Sequence, residues 1–321
     1  MGTPQYAAVS LRRLLDGPHR VVAVVTRADK ARGRGQQMVP SPVKEIALAS
    51  GVEVLDPVSP RSPEFVARLR ELAPDLGVTV AYGRILPAHV LSIPRLGCIN
   101  AHGSLLPALR GAAPIERAIL EGLGRTGVTI MQMSEGMDEG DVIAERGVEI
   151  PACMNAGELR EVMAEVSAQM LAETVDRYAA GPVAQTPQDH SRATFAPPLR
   201  KEEAAIDWNT DADFIARQVR AFAPRPGAYA FDGRMRLKVL AANAKRSGTF
   251  PAAEKVPDPF FAGTIVGRSG QGLLVACGSG VLELRTVQPE GKRAMSALDY
   301  ERGNRGADPH RVLLPGKTAS S

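Results

Sequence analysis

No run of about 18 consecutive apolar residues occurs in the 321-residue sequence, so nothing in it spans a bilayer as a helix. The basic stretch, apolar core and cleavage site of a secretory signal are also missing at its start, and a cytoplasmic protein with no membrane partner is expected. Cysteine is scarce: Cys98, Cys153 and Cys277 lie far apart, with no Cys-x-x-Cys pair. They read as buried thiols, with neither a disulfide framework nor a zinc site, and nothing else demands a metal. What is present is ordinary for a folded chain, with a hydrophobic fraction of 44% and a length that suits one large α/β domain and a smaller companion.

An overall excess of one charge sign is lacking too, since the net charge is only +4. Its distribution is uneven: residues 1–205 carry 22 Lys/Arg against 24 Asp/Glu, about −2, and residues 206–321 carry 17 against 11, about +6. A basic appendage on a near-neutral body suits a polyanionic partner. A solvated basic surface without such a partner explains the numbers equally well.

Short β-branched runs alternate with helical patterns over the first 180 residues. Arg20–Thr26, Gly77–Tyr82, Gly97–Asn100 and Gly127–Met133 read as buried parallel strands, and residues 62–73 and 113–121 as amphipathic helices between them. This order predicts a doubly wound, Rossmann-like parallel sheet whose ligand crevice lies beyond the carboxyl ends of its strands. Residues 155–180 predict a long helix. The Pro, Gln, Ser and Thr-rich stretch after it reads as a linker, placing domains at 1–183 and 206–312 with the linker at 184–205. Beyond it come a short helix (211–222) and hairpin signals at Asp232-Gly233, Ser269-Gly270 and Gly278-Ser279-Gly280, which predict a small antiparallel β-barrel (OB-like). Residues 313–321 read as a disordered tail.

One element is missing from that scheme. Residues 1–5 read as a loop before a helix (6–16), yet in a doubly wound sheet such a loop follows the first, central strand. Without that strand, two neighbours are left with exposed apolar faces and unpaired backbone groups. Met1 therefore reads as an internal methionine of a longer chain.

The chemistry concentrates in Cys98-Ile99-Asn100-Ala101-His102-Gly103-Ser104-Leu105-Leu106-Pro107, followed by Arg110-Gly111-Ala112-Ala113-Pro114. Asn100 and His102 are two residues apart, so on an extended segment they face the same side and can converge on one small group. Gly103 permits a tight turn, and Leu105-Leu106-Pro107 offers an apolar wall. His102 alone would read as a structural histidine, and Asp138 alone as the cap of a Gly-flanked turn.

Together with Gly-Met-Asp-Glu-Gly-Asp at 136–141, the Asn-x-His-Gly-Ser-Leu-Leu-Pro motif resembles the site of the folate-dependent formyltransferases. That resemblance implies a catalytic trio of Asn100, His102 and Asp138, and a folate site that includes Ser104, Leu105, Leu106 and Pro107 with Ile85 and Gly136. Further matches run nearly end to end, from Gly2-Thr3-Pro4 to Lys292–Ala297, and are similar to the branch of the family that formylates methionyl-tRNA. They imply 10-formyltetrahydrofolate as co-substrate, methionyl-initiator-tRNA as partner and a monomeric enzyme.

In that branch a basic loop enters the acceptor stem, which implies such a role for Arg32 and Arg34. Gln36 and Gln37 stand where the family often has a basic pair, and Ala108 where an arginine is usual. Arg200, Lys201, Lys292 and Arg293 are further candidates for phosphate contact, each balanced by its reading as a solvated charge. The same trio would serve a formyltransferase acting on an amino sugar or a formyl-folate hydrolase. A fold-retaining RNA-binding protein without activity is the alternative from another class.

Overall fold

The computed structural model describes residues 1–32, 37–245, 261–304 and 311–316. The chain forms two compact units: Met1–Pro114, Arg125–Glu149 and Arg160–Pro197 in one, and Ile115–Gly124, Ile150–Leu159 and Pro198–Ser321 in the other.

The first unit begins with α1 (Gln5–Leu15), β1 (Val24–Val25), β2 (Lys30–Arg32), β3 (Gln37–Val39), α2 (Pro42–Ala49), β4 (Val54–Leu55) and α3 (Pro63–Leu72). Both α2 and α3 open on a Ser-Pro pair. The Ser41 hydroxyl accepts the Lys44 amide at 3.2 Å and the Ser62 hydroxyl accepts that of Phe65 at 3.4 Å, while the proline presets the first helical φ. There follow β5 (Gly77–Thr79), α4 (Ala88–Leu91), β6 (Cys98–His102), β7 (Arg110–Gly111), then α5 (Pro114–Leu120), which after Pro114 belongs to the second unit, β8 (Arg125–Gln132), β9 (Val142–Glu149), the long α6 (Ala156–Ala180), whose residues 156–159 belong to the second unit, and β10 (Phe195–Ala196).

β1 pairs in parallel with β4, and β5 with β6. The expected strand over 20–26 joins a ladder only at Val24 and Val25. The run at 127–133 departs from expectation: β8 is antiparallel to β6 and then pairs antiparallel with β9. A continuous apolar run reports burial of a strand, not its direction.

Among the described residues no strand runs between β1 and β5. Met1 and Gly2 stand there instead: the Gly2 amide donates to Val25 O at 2.9 Å, the Val80 amide to Met1 O at 2.9 Å, and the Met1 amine to Val78 O at 2.5 Å. A cavity of about 470 Å³ adjoins them, lined by residues 19–25 and 73–78 together with Leu11, Leu14 and Leu69.

The second unit carries α7 (Ala212–Phe222), β11 (Ala228–Asp232), β12 (Met235–Lys245), β13 (Ile265–Arg268), β14 (Leu273–Ala276), β15 (Val281–Pro289), β16 (Met295–Ser296), α8 (Ala297–Gly303) and β17 (Leu313–Leu314). The strands form one curled antiparallel half-barrel in the order β13-β14-β15-β12-β11-β17, with β16 on β15. The three hairpins read from glycine-containing turns join β11 to β12, β13 to β14 and β14 to β15. Asp211 caps α7 by accepting the amides of Asp213 and Phe214 at 2.9 and 3.3 Å, and the apolar stripe Ile215, Val219 and Phe222 is buried. Trp208 is fully buried, and Gly263, at φ +95°, lies so close to it and to Leu313 O that a Cβ could not be added.

Three expectations need correction. The stretch at 184–205 is held in place: Thr186 bridges Val142, 3₁₀ turns form at His190–Arg192 and Lys201–Ala204, and β10 pairs in parallel with β7. Its partners lie far upstream, so no local periodicity reveals them. Residues 313–316 are ordered as well, because Leu313 and Leu314 extend the sheet at the edge of β11 and the Gly316 amide reaches Ile206 O at 2.8 Å; residues 317–321 lie outside the described residues. Cys153 is exposed in a turn, whereas Cys98 is buried and Cys277 half-buried. No helix among the described residues is long and apolar enough to cross a membrane.

Candidate active site

β6 is paired along both edges, to β5 and to β8, which fixes the direction of its side chains. Alternation along the strand places Asn100 and His102 on one face, about 7 Å apart. Because β5 and β6 are parallel, the loops that follow them share one edge of the sheet, where a crevice is expected.

His102 is buried, and both ring nitrogens are engaged. Nε2 lies 2.9 Å from Leu109 O, and Nδ1 lies 3.4 Å from Asp138 Oδ2. A carbonyl oxygen only accepts, so Nε2 carries a hydrogen and Nδ1 is the nitrogen that meets the carboxylate. Asp138 Oδ2 also accepts the Gly111 amide at 2.9 Å. Leu109 and Asp138 have φ of +57° and +54°. A left-handed conformation at a residue other than glycine costs on the order of 1 kcal/mol, so strain is concentrated at the two residues that contact the imidazole.

Asn100 is half-buried, and among the described residues no hydrogen bond occupies its side-chain amide. It is therefore the member of the trio with a donor free for a ligand. His102 spends both ring nitrogens inside the protein, on Leu109 O and Asp138 Oδ2.

The residues implied for folate divide by exposure. Ser104 is fully buried; its hydroxyl donates to Ala108 O at 2.5 Å and its carbonyl accepts the Thr129 hydroxyl at 2.7 Å, so it shapes the turn. Leu106 is buried, while Leu105, Pro107 and Gly136 are half-buried. Ile85, in the loop after β5, is 70% exposed, and Met137 beside Asp138 is 56% exposed.

Of the basic candidates, Arg34 lies outside the described residues, and Arg32 ends β2. Arg200 and Lys201 are exposed at the start of a 3₁₀ turn whose Glu203 accepts the Arg200 amide at 2.8 Å. Lys292 and Arg293 are exposed in the turn between β15 and β16. Sequence reasoning did not single out Gln188, whose side chain is buried against Arg110, nor the Leu109 carbonyl and the Gly111 amide. The Arg110–Pro114 motif pointed near them; nothing in the polar stretch around Gln188 did.

Residues 1–175 match the formyl transferase family, and residues 198–305 match the formyl transferase C-terminal domain. The chain belongs to the formyl transferase family. That family uses a formyl-folate as formyl donor. A protein of Symbiobacterium thermophilum named methionyl-tRNA formyltransferase is 46% identical over 303 residues, 94% of this chain and 91% of that protein. One of the same name from Citrifermentans bemidjiense is 42% identical over 303 residues, covering 94% and 92%. Among solved structures, an N-formyltransferase from Helicobacter canadensis in complex with folinic acid and dTDP-3-aminofucose superposes with a TM-score of 0.62 at 15% identity, covering 88% of this chain and 97% of that one. HypX from Aquifex aeolicus in complex with tetrahydrofolic acid gives 0.58 at 18%, covering 85% and 48%. At these identities the likeness is one of fold.

Proposed function

We propose that this formyl transferase moves the formyl group of 10-formyltetrahydrofolate onto the α-amine of methionyl-initiator-tRNA. The observation that carries the reading is identity of 46% over 94% of the chain to a methionyl-tRNA formyltransferase, which extends through the C-terminal domain as well as the catalytic one. In this reading residues 1–183 bind the formyl-folate and perform the transfer, and residues 206–312 bind tRNA.

An α-amine has a reference pKa of about 7.7–8.0 and esterification lowers it, so the neutral nucleophile is abundant at neutral pH. The amine nitrogen attacks the formyl carbon, the bond from that carbon to folate N10 breaks, and one proton passes from the ammonium to N10. Asn100 donates to the oxyanion of the tetrahedral intermediate, the role for which its unengaged amide suits it. Asp138, oriented by His102 and the Gly111 amide, takes the ammonium proton and helps return it to the leaving nitrogen. Ile85, Leu105 and Pro107 form the apolar wall for the folate. Arg32, Arg34, Arg200, Lys201, Lys292 and Arg293 supply phosphate contacts to the tRNA.

The test is transfer of label from 10-formyltetrahydrofolate to methionyl-tRNA. Label recovered only as formate, or only on an amino-sugar nucleotide offered in its place, overturns the proposal.

A further inference from the structure

Residues 186–196 do more than connect. Gln188 uses all of its hydrogen-bonding capacity: Nε2 donates to Asp138 O at 3.0 Å and to Gly140 O at 2.7 Å, while Oε1 accepts from Arg110 Nε at 3.2 Å and Nη2 at 2.7 Å. Arg110 is itself buried, and its Nη2 also contacts His190 Nδ1 at 3.1 Å. Six residues on, the Thr194 hydroxyl accepts the Leu109 amide at 2.9 Å, and its carbonyl accepts that of Arg110 at 2.9 Å. The strap thus grips both left-handed residues, Asp138 and Leu109, and these are the two that contact the ring nitrogens of His102.

We propose that this strap is the positioning device of the His102–Asp138 pair, with Gln188 as the positioning residue for Asp138 and Thr194 for Leu109. The inference rests on the reading of Asp138 as a catalytic group. Gln188 touches no reacting atom; it fixes the backbone on both sides of Glu139, so that the Asp138 carboxylate meets Nδ1 and the Gly111 amide together. Replacing its amide by a carboxylate keeps the partner of Arg110 but sets an acceptor against two carbonyl oxygens.

The experiment compares Gln188→Glu, Gln188→Met and Asp138→Ala in the full chain, by steady-state formyl transfer and by the ¹⁵N shifts of the His102 imidazole. Gln188→Glu is expected to lower kcat about 10- to 100-fold with KM for both substrates within about two-fold, to displace the pH profile of kcat and to move the imidazole shifts. In an Asp138→Ala background the same change is expected to have no further effect on the rate. A full additional loss in that background, or unmoved imidazole shifts in a folded Gln188→Glu or Gln188→Met chain, overturns the proposal. If Asp138→Ala retains full activity, it is the catalytic reading of Asp138 that fails; if Asp138→Ala is inactive and the Gln188 variants are as fast as the parent, only the positioning role does.

Discussion

Two regions of the same N-terminal layer are built in opposite ways. Around His102 the polar atoms are over-determined: Asp138 Oδ2 has two partners, the Gln188 amide four contacts, and Thr129 links Ser104 to Leu106. Around Met1 they are under-determined. Thr3 Oγ1, Ser10 Oγ and Thr79 Oγ1 are buried without a partner among the described residues, and a cavity of about 470 Å³ lies beside them. Hydrogen bonds fix orientation in the first region, and apolar burial carries the second. Activity and stability should therefore respond to different residues.

The largest effects are expected at the tight end. Asn100→Ala removes the oxyanion donor and should lower kcat about 10²–10³-fold with little change in melting temperature. Asp138→Asn keeps the shape of the loop but abolishes the charge, and kcat should fall about 10²-fold. A melting temperature lowered by more than a few degrees in either variant, with a proportionate loss of folded enzyme, would blur the contrast and count against it.

At the loose end the expected changes are in stability alone. Leu69 is buried, and Leu69→Ala should cost about 2–5 kcal/mol in urea melts while kcat of the folded enzyme stays unchanged. A matching fall in kcat would break the comparison.

The smallest effects belong to the basic surface of the second unit. Replacing Lys292 and Arg293 together by alanine should raise KM for tRNA several-fold, leave KM for the folate unchanged and reduce the slope of log KM against log salt by up to about 2. No change in salt dependence would return both to the status of solvated charges.

Legibility followed the range of the interaction. The helices over 62–73 and 211–222 were readable from local periodicity, and Ser62 and Asp211 cap them on amides three residues away or fewer. The hairpins of the second unit were readable because a glycine-containing turn sets its own geometry. The direction of β8, the edge pairing of Leu313 and Leu314, and the strap at 186–196 were not, because their partners lie far off in the chain. For the candidate site, the types and spacing of Asn100 and His102 were visible as two polar residues on one face of a strand. Which atoms the histidine addresses was not.

By itself the sequence determined that this is a two-part α/β and antiparallel-β chain with Asn100 and His102 on one face of a strand, because periodicity and short-range turn chemistry are local properties. Only the tertiary structure decided that His102 is held between Leu109 O and Asp138 and that Gln188 grips the loop behind it. Those outcomes depend on which distant backbone groups meet once the chain has closed on itself, and composition carries no record of that.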